Sequence, residues 1–202
     1  MNPNVPNILT IIRIILVPVM VVVLFLDPAS FTMRILATAV FALAMITDFL
    51  DGNIARKYNL VSDFGKLWDP IADKLLTGAA FISLSILGEL PWYFTVIILI
   101  REWGITFLRD WLKKRGTIMP ANKGGKLKTV TQTAALLLFL LNLQHLPGIL
   151  QVLAWLLMWA ALILTVVTGI DYLREARRTV KGETISDDTP PDTEPRRAAQ
   201  EQ

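Results

Sequence analysis

The chain contains no cysteine and a single histidine among its 202 residues. The absence of cysteine excludes disulfide bonds, thiolate metal ligands and thiol nucleophiles. One histidine is too few for a histidine-rich zinc site. A metal ion would therefore bind through oxygen atoms, which suit hard cations such as magnesium, manganese or calcium.

Charged residues are also sparse, at 18% of the chain, whereas 53% of residues are hydrophobic and the mean hydropathy is +0.51. The apolar residues are gathered into runs of about 20, the length that crosses a bilayer core. We therefore predict an all-α membrane protein whose partner is the lipid bilayer and not nucleic acid. Its six transmembrane helices are expected at about 5–26, 31–55, 70–88, 91–112, 127–145 and 148–173.

Basic residues are distributed unevenly between the predicted connections. Lysine and arginine crowd two long connections and the segment after the last span, whereas the three short connections offer only Arg34. Positive charge marks the cytoplasmic side. We expect a multi-pass protein of the inner (cytoplasmic) membrane with both termini in the cytoplasm. Residues 1–178 would form the six-helix domain, and the polar residues 179–202 a disordered cytoplasmic tail.

Four aspartates lie where the second and third spans approach the cytoplasm. Asp48 and Asp51 are three residues apart, and Asp69 and Asp73 are four apart, so each pair shares a helix face. Four acids at a membrane edge repel one another, and a bound cation removes that cost. This reasoning predicts a divalent-metal site at the cytoplasmic membrane interface.

Structural explanations for the individual acids remain open at this point. Asp69-Pro70 has the pattern of a helix N-cap followed by proline at the first helical position. Asp48 could instead pair with Arg56 or Arg101. Gly52 and Ala55 carry almost no side chain, so a bulky ligand could approach the backbone beside the first pair.

The complete pattern is Asp48-x-x-Asp51-Gly52-x-x-Ala55-Arg56, then eight residues, then Gly65-x-x-x-Asp69-x-x-x-Asp73. It resembles the signature of the CDP-alcohol phosphotransferases at every defining position, and the resemblance extends through all six spans. It implies that residues 1–178 are a catalytic domain. It also implies two divalent cations, Mg or Mn, held by the four aspartates.

The same resemblance implies roles for the remaining signature residues. Asp73 would also be the general base that deprotonates an acceptor hydroxyl. The residues lining the site of the CDP moiety would be Asp51, Gly52, Ala55, Arg56 and Gly65.

Several basic and polar residues lie inside or beside the apolar runs: Thr10, Arg13, Arg101, Arg109 and Lys126. A buried arginine needs an anionic partner, which could be the aspartates or a substrate phosphate. Within the family, their segments are most similar to the phosphatidylglycerophosphate synthases. That similarity implies CDP-diacylglycerol as donor, sn-glycerol 3-phosphate as acceptor and a homodimer.

Two alternatives remain. The same chemistry could use another acceptor, such as inositol phosphate, or phosphatidylglycerol as in cardiolipin synthesis. A protein of a different class, a cation transporter, would also need intramembrane acids. It would spread them across the membrane depth, whereas all four here cluster at one edge.

Overall fold

The structure, a computed structural model, describes the backbone of residues 5–58, 63–114 and 123–180 and the side chains of 10–47, 71–112 and 127–177. These residues form six α-helices and a short 3₁₀ turn, with no strand among them. The helices are α1 (Val5–Leu26), α2 (Phe31–Tyr58), α3 (Asp63–Ile86), α4 (Trp92–Lys114), α5 (Lys123–Leu140) and α6 (Gly148–Val180). The predicted all-α fold of six helices is confirmed.

The connections give the molecule two different ends. Tight turns at 27–30, 87–91 and 141–147 each join two helices that pack against each other, so the chain reverses direction at each turn. We call this the tight-turn end. At the other end α1, α3 and α5 begin and α2, α4 and α6 finish. Since the four aspartates belong to the helix segments at that end, we call it the aspartate end.

All six helices contribute to one buried apolar cluster. Its largest side chains include Phe41, Phe81, Phe94 and Phe139. A second, smaller cluster joins α4 to α6 near the aspartate end and contains Ile105, Leu112, Tyr172 and Ala176. The second cluster matters for the site because it joins α4, which carries Arg101 and Arg109, to α6.

Large apolar side chains also cover the outside of the bundle. Ile100 is 69% exposed, Phe107 65% and Ile149 80%. A monomeric soluble protein seldom exposes so much apolar surface. Among the described residues, one helical stretch, Gly148–Arg177, is long and apolar enough to cross a membrane. The shorter apolar stretches are Thr10–Leu26, Phe31–Thr47 and Leu127–Leu140. The six membrane spans therefore stay a prediction.

Helix α3 begins earlier than the sequence suggests. It starts at Asp63, so Asp69 and Pro70 lie within the helix and the predicted N-cap at Asp69 is wrong. Proline lacks a backbone N–H but its fixed φ is compatible with a helix. Pro70 is the eighth residue of α3 and removes one backbone hydrogen bond inside it, yet the helix continues to Ile86.

Helix α5 ends at Leu140, five residues before its predicted end at 145. The cause is Asn142, whose φ of 64° is in the left-handed region. Its side chain accepts a hydrogen bond from the backbone N–H of Gln144 at 3.0 Å, which starts the 3₁₀ turn Leu143–His145.

A buried ion pair ties two of the tight turns together. Arg34, 1% exposed, donates from both terminal nitrogens to the carboxylate of Glu89, with Nη1 to Oε2 at 3.1 Å. Its Nε donates to the carbonyl oxygen of Pro28 at 2.8 Å. The third turn is joined by His145, whose ring stacks on that of Phe31 with centroids 5.1 Å apart.

Candidate functional site

Most of the signature residues lie on helices at the aspartate end, outside the residues whose side chains are described. Those on the last three turns of α2 are Asp48, Asp51, Gly52, Ala55 and Arg56; those on the first turns of α3 are Gly65 and Asp69. Lys126, in the first turn of α5, is outside the described side chains in the same way. Their predicted roles therefore stay predictions.

Asp73 is the one signature aspartate whose side chain is described. It is half-buried on α3, and its backbone carbonyl accepts a hydrogen bond from the Thr77 hydroxyl at 3.0 Å. Its carboxylate lies within electrostatic range of Lys74 and of Lys128 on α5. No group of three or more potential metal ligands occurs among the described side chains, which include only this member of the proposed set.

Thr10 and Arg13 lie on α1 and are both fully buried, at 0% exposure. They are three residues apart, which places them on neighbouring turns of one helix face. Helix α1 packs against α2 and α3, the two helices that carry the aspartates. The structure therefore buries the guanidinium group of Arg13 on a helix that packs against the two helices carrying the aspartates.

Arg101 is the centre of a network that joins three helices. Its Nη1 donates to Glu102 Oε1 at 3.0 Å, and Lys128 on α5 donates to the same oxygen. Its Nη2 donates to Thr168 Oγ1 on α6 at 2.6 Å. The Thr168 hydroxyl in turn donates to the carbonyl oxygen of Leu164 at 2.6 Å. Arg101 is therefore held between an acid of its own helix and a hydroxyl of α6.

The ring of Tyr172 brings Arg101 and Arg109 together. Their guanidinium carbons lie 5.8 Å and 5.5 Å from the ring centroid, within range of a cation–π interaction. Tyr172 is 5% exposed and belongs to the second apolar cluster, so its ring is held firmly. Arg101 and Arg109 are eight residues apart on α4 and so lie on roughly the same face of that helix, which agrees with this contact.

Gly169 leaves the space that Arg101 occupies. A Cβ atom at Gly169 would lie 3.1 Å from Arg101 Cγ and 3.6 Å from its Nε. Contacts as short as 3.1 Å are tighter than ordinary van der Waals distances. The absence of a side chain on α6 is therefore part of what positions this arginine.

Sequence reasoning missed three members of this network: Glu102, Thr168 and Tyr172. It assigned the anionic partner of Arg101 to the aspartates or to substrate, yet the adjacent residue provides one. A carboxylate inside an apolar run was a signal as strong as the arginine beside it, because both are costly to bury unpaired. Thr168 and Tyr172 gave no such signal, since both residue types are common in apolar helices.

Among the described side chains where these helices meet, the basic residues outnumber the acids that act on them. The basic side chains are Lys74, Arg101, Arg109 and Lys128, and the acids that act on them are Asp73, Glu102 and Asp110. Lys74 also lies over the ring of Trp103, with Nζ 5.9 Å from its centroid. If Asp73 binds metal, as its motif predicts, the surplus of cations grows. Such a surplus suits an anionic ligand, and arginine and lysine are well suited to phosphate.

The sequence model of the CDP-alcohol phosphatidyltransferases matches residues 3–167, which include all four aspartates and both Arg101 and Arg109. The chain belongs to this family. It is accordingly an enzyme, a transferase of phospholipid biosynthesis. The resemblance drawn from the aspartate pattern is confirmed.

Individual relatives of this CDP-alcohol phosphatidyltransferase cover nearly the whole chain. A probable phosphatidylglycerophosphate synthase of Mycobacterium tuberculosis (strain H37Rv) is 49% identical over 180 residues, 89% of this chain and 84% of the relative. The CDP-diacylglycerol–glycerol-3-phosphate 3-phosphatidyltransferase of Rickettsia prowazekii is 39% identical, over 87% of this chain and 97% of its own. The Bacillus subtilis protein of the same name is 36% identical, over 88% and 97%.

Proposed function

We propose that this enzyme transfers the phosphatidyl group of CDP-diacylglycerol to sn-glycerol 3-phosphate, giving phosphatidylglycerol phosphate and CMP. The observation that carries the proposal is the surplus of cations among the described side chains around Arg101, next to Asp73, in a chain of this family. A phosphate-bearing acceptor uses such a surplus, whereas a neutral alcohol does not. The names of the relatives support the same acceptor.

The acceptor phosphate would be bound by Arg101 and Arg109, with Thr10, Arg13 and Lys126 as further contributors. Arginine presents a planar set of donors that matches phosphate oxygens. Arg101 and Arg109 contact one ring and lie on one helix, so they can face a single ligand. This arrangement supports a site for one phosphate group on α4.

The donor's pyrophosphate would be held at the four aspartates by two divalent cations, Mg or Mn. The donor set fits such ions, because it consists of carboxylates from α2 and α3, two helices that pack against each other. When bound, the cations would neutralise charge on the pyrophosphate. The residues proposed to line the nucleotide are Asp51, Gly52, Ala55, Arg56 and Gly65.

In the transfer step, Asp73 would accept the proton of the acceptor hydroxyl. The hydroxyl oxygen would then form a bond to the lipid-side phosphorus, and the bond from that phosphorus to the bridging oxygen would break. CMP would leave with the electron pair of the broken bond. A positioned carboxylate base typically accelerates such a step by about 10²- to 10⁴-fold.

We further propose that all six helices span the inner membrane, with the aspartate end and both termini on the cytoplasmic side. The exposed apolar side chains of α4 and α6 and the crowding of basic residues beside the long connections support this orientation. A homodimer is expected from the family. CDP-diacylglycerol would reach the site from the inner leaflet with its tails remaining in lipid.

An acceptor competition tests the proposed function. Purified enzyme in detergent would receive CDP-diacylglycerol, Mg²⁺ and equal concentrations of glycerol 3-phosphate, inositol phosphate and phosphatidylglycerol. Mass spectrometry would identify the lipid product, and CMP would be measured in parallel. We expect phosphatidylglycerol phosphate as the main product and loss of CMP release when EDTA removes the cation.

Preference for another acceptor would replace glycerol 3-phosphate in the proposal while retaining the chemistry. Metal-dependent CMP release in detergent, where no ion gradient exists, would reject the cation transporter. A preparation that moves cations across vesicles and releases no CMP would reject the transferase proposal itself.

A further inference from the structure

Glu102 has no part in the reaction as proposed above, yet it touches two of the cations around the site. Its Oε1 accepts from Arg101 on the same helix and from Lys128 on α5. The side chain is 17% exposed, and that of Lys128 is 6% exposed. One carboxylate oxygen therefore joins α4 to α5 in a nearly buried place.

The shared carboxylate solves a physical problem created by the two cations. An arginine and a lysine held close together with little water repel each other, and each also loses hydration. A single carboxylate between them offsets the repulsion, and Arg101, Lys128 and Glu102 taken together keep one net positive charge. Without that carboxylate, the two cationic side chains would repel each other and separate.

The other contacts of Arg101 show that its position is fixed from several directions. Thr168 holds Nη2 at 2.6 Å, Tyr172 lies 5.8 Å from the guanidinium carbon, and Gly169 admits the side chain. Lys128 has no comparable set: its described hydrogen bond is the one to Glu102. The position of Lys128 relative to Arg101 thus depends on Glu102.

We propose that Glu102 is a positioning residue that holds Arg101 and Lys128 as one cationic pair for the phosphate of the acceptor. This inference rests on the proposed function, since it concerns the same acceptor. It adds Lys128 of α5 to the acceptor site, and it makes the affinity for a phosphomonoester depend on a carboxylate that does not itself bind phosphate.

The test is a steady-state comparison of Glu102→Gln with the wild-type enzyme in detergent. The amide keeps the size of the side chain but removes its charge, so the two cations separate. We expect the KM for glycerol 3-phosphate to rise about 10-fold or more, since charge-assisted hydrogen bonds to both cations are weakened. The KM for CDP-diacylglycerol should stay at the wild-type value, which a general loss of structure would not allow.

Glu89→Gln is the matched control, because Glu89 also binds a buried arginine but at the tight-turn end. It should lower the melting temperature and leave the KM for glycerol 3-phosphate unchanged. Glu102→Asp keeps the charge on a shorter side chain and should give a KM between those of wild type and Glu102→Gln. Should Glu102→Gln fail to fold, the aspartate variant carries the test alone.

An unchanged or lowered KM for glycerol 3-phosphate in Glu102→Gln would overturn the inference, and so would a wild-type KM in Glu102→Asp if only that variant folds. An equal rise in Glu89→Gln would show a nonspecific effect and overturn it as well. Two outcomes distinguish the positioning role of Glu102 from the proposed function. Failure of the wild-type enzyme to use glycerol 3-phosphate rejects the proposed function, whereas a wild-type enzyme that uses it beside an unaffected Glu102→Gln rejects the positioning role alone.

Discussion

Two arginines with acidic partners lie at opposite ends of the bundle, and their surroundings differ. At the tight-turn end, all three side-chain nitrogens of Arg34 have acceptors, and its acid Glu89 serves it alone among the described ion pairs. At the aspartate end, Arg101 uses two nitrogens, while its Nε has no hydrogen-bond partner among the described residues. Its acid, Glu102, is shared with Lys128.

The comparison shows how one residue type serves two purposes. Arg34 forms a closed pair whose charges cancel, and closing it joins two turns of the fold. Arg101 belongs to a group in which cations outnumber the acid that they share, so charge remains for a ligand. Burial alone does not separate the two cases, since both arginines are largely buried. The two cases differ in the ratio of cationic to acidic side chains in each group.

The largest expected effect is on kcat, and it distinguishes Asp73 at the aspartate end from Asp27 at the tight-turn end. Asp73→Asn removes the proposed base, and we expect kcat to fall about 10²- to 10⁴-fold. Asp27→Asn makes the same chemical change at the tight-turn end, where Asp27 Oδ1 accepts from the N–H groups of Ala29 and Ser30 at 3.2 Å each. The amide oxygen can still accept both bonds, so activity should be retained. Full turnover by Asp73→Asn would show that Asp73 is not the general base.

The next effect separates the two arginines directly. Arg101→Lys leaves one ammonium where two nitrogens bound Glu102 and Thr168, and we expect kcat/KM for glycerol 3-phosphate to fall about 10- to 100-fold. Arg34→Lys also loses hydrogen bonds, but far from the site. It should lower the melting temperature and leave kcat/KM near the wild-type value. If both variants lose activity equally, the distinction between the two regions is wrong.

The smallest effect concerns two glycines. Gly169→Ala would place a Cβ 3.1 Å from Arg101 Cγ, so the arginine must shift by a few tenths of an ångström. An off-rotamer side chain costs about 0.5–1.5 kcal/mol, so the KM for glycerol 3-phosphate should rise about 2- to 10-fold. Gly104→Ala on α4 is the control, because nothing lies within 4 Å of its Cβ position. A wild-type KM in Gly169→Ala would show that the arginine adjusts freely.

The number and order of the helices could be predicted from the sequence, because long apolar runs separated by polar or turn-forming segments leave little choice. Helix ends were predicted less well. Pro70 predicted that the third helix starts near position 70, whereas α3 begins at Asp63. The stop at Leu140 depends on the left-handed Asn142, and such a conformation gives only a weak signal in sequence.

The candidate site, like the fold, could be predicted only in part from the sequence. The aspartate motif identified the family because its spacing is long and fixed, and that identification is confirmed. The partners of Arg101 and Glu102 on other helices could not be predicted from spacing. Thr168 and Lys128 are 67 and 27 positions away from it along the chain, and only packing brings them to one guanidinium or one carboxylate. Glu102 was within reach of sequence reasoning, because an acid in an apolar run requires a partner just as a base does.

The length of α6 has one more consequence. Its 33 residues extend about 50 Å, whereas the hydrocarbon layer of a bilayer is about 30 Å thick. In the proposed orientation, a single crossing from Gly148 takes about 20 residues and reaches the region of Thr168. The hydrogen bond from Arg101 to Thr168 would then lie at the boundary between the hydrocarbon layer and the aqueous cytoplasmic side. A polar acceptor could arrive there without leaving the cytosol, and a two-tailed donor without leaving the lipid.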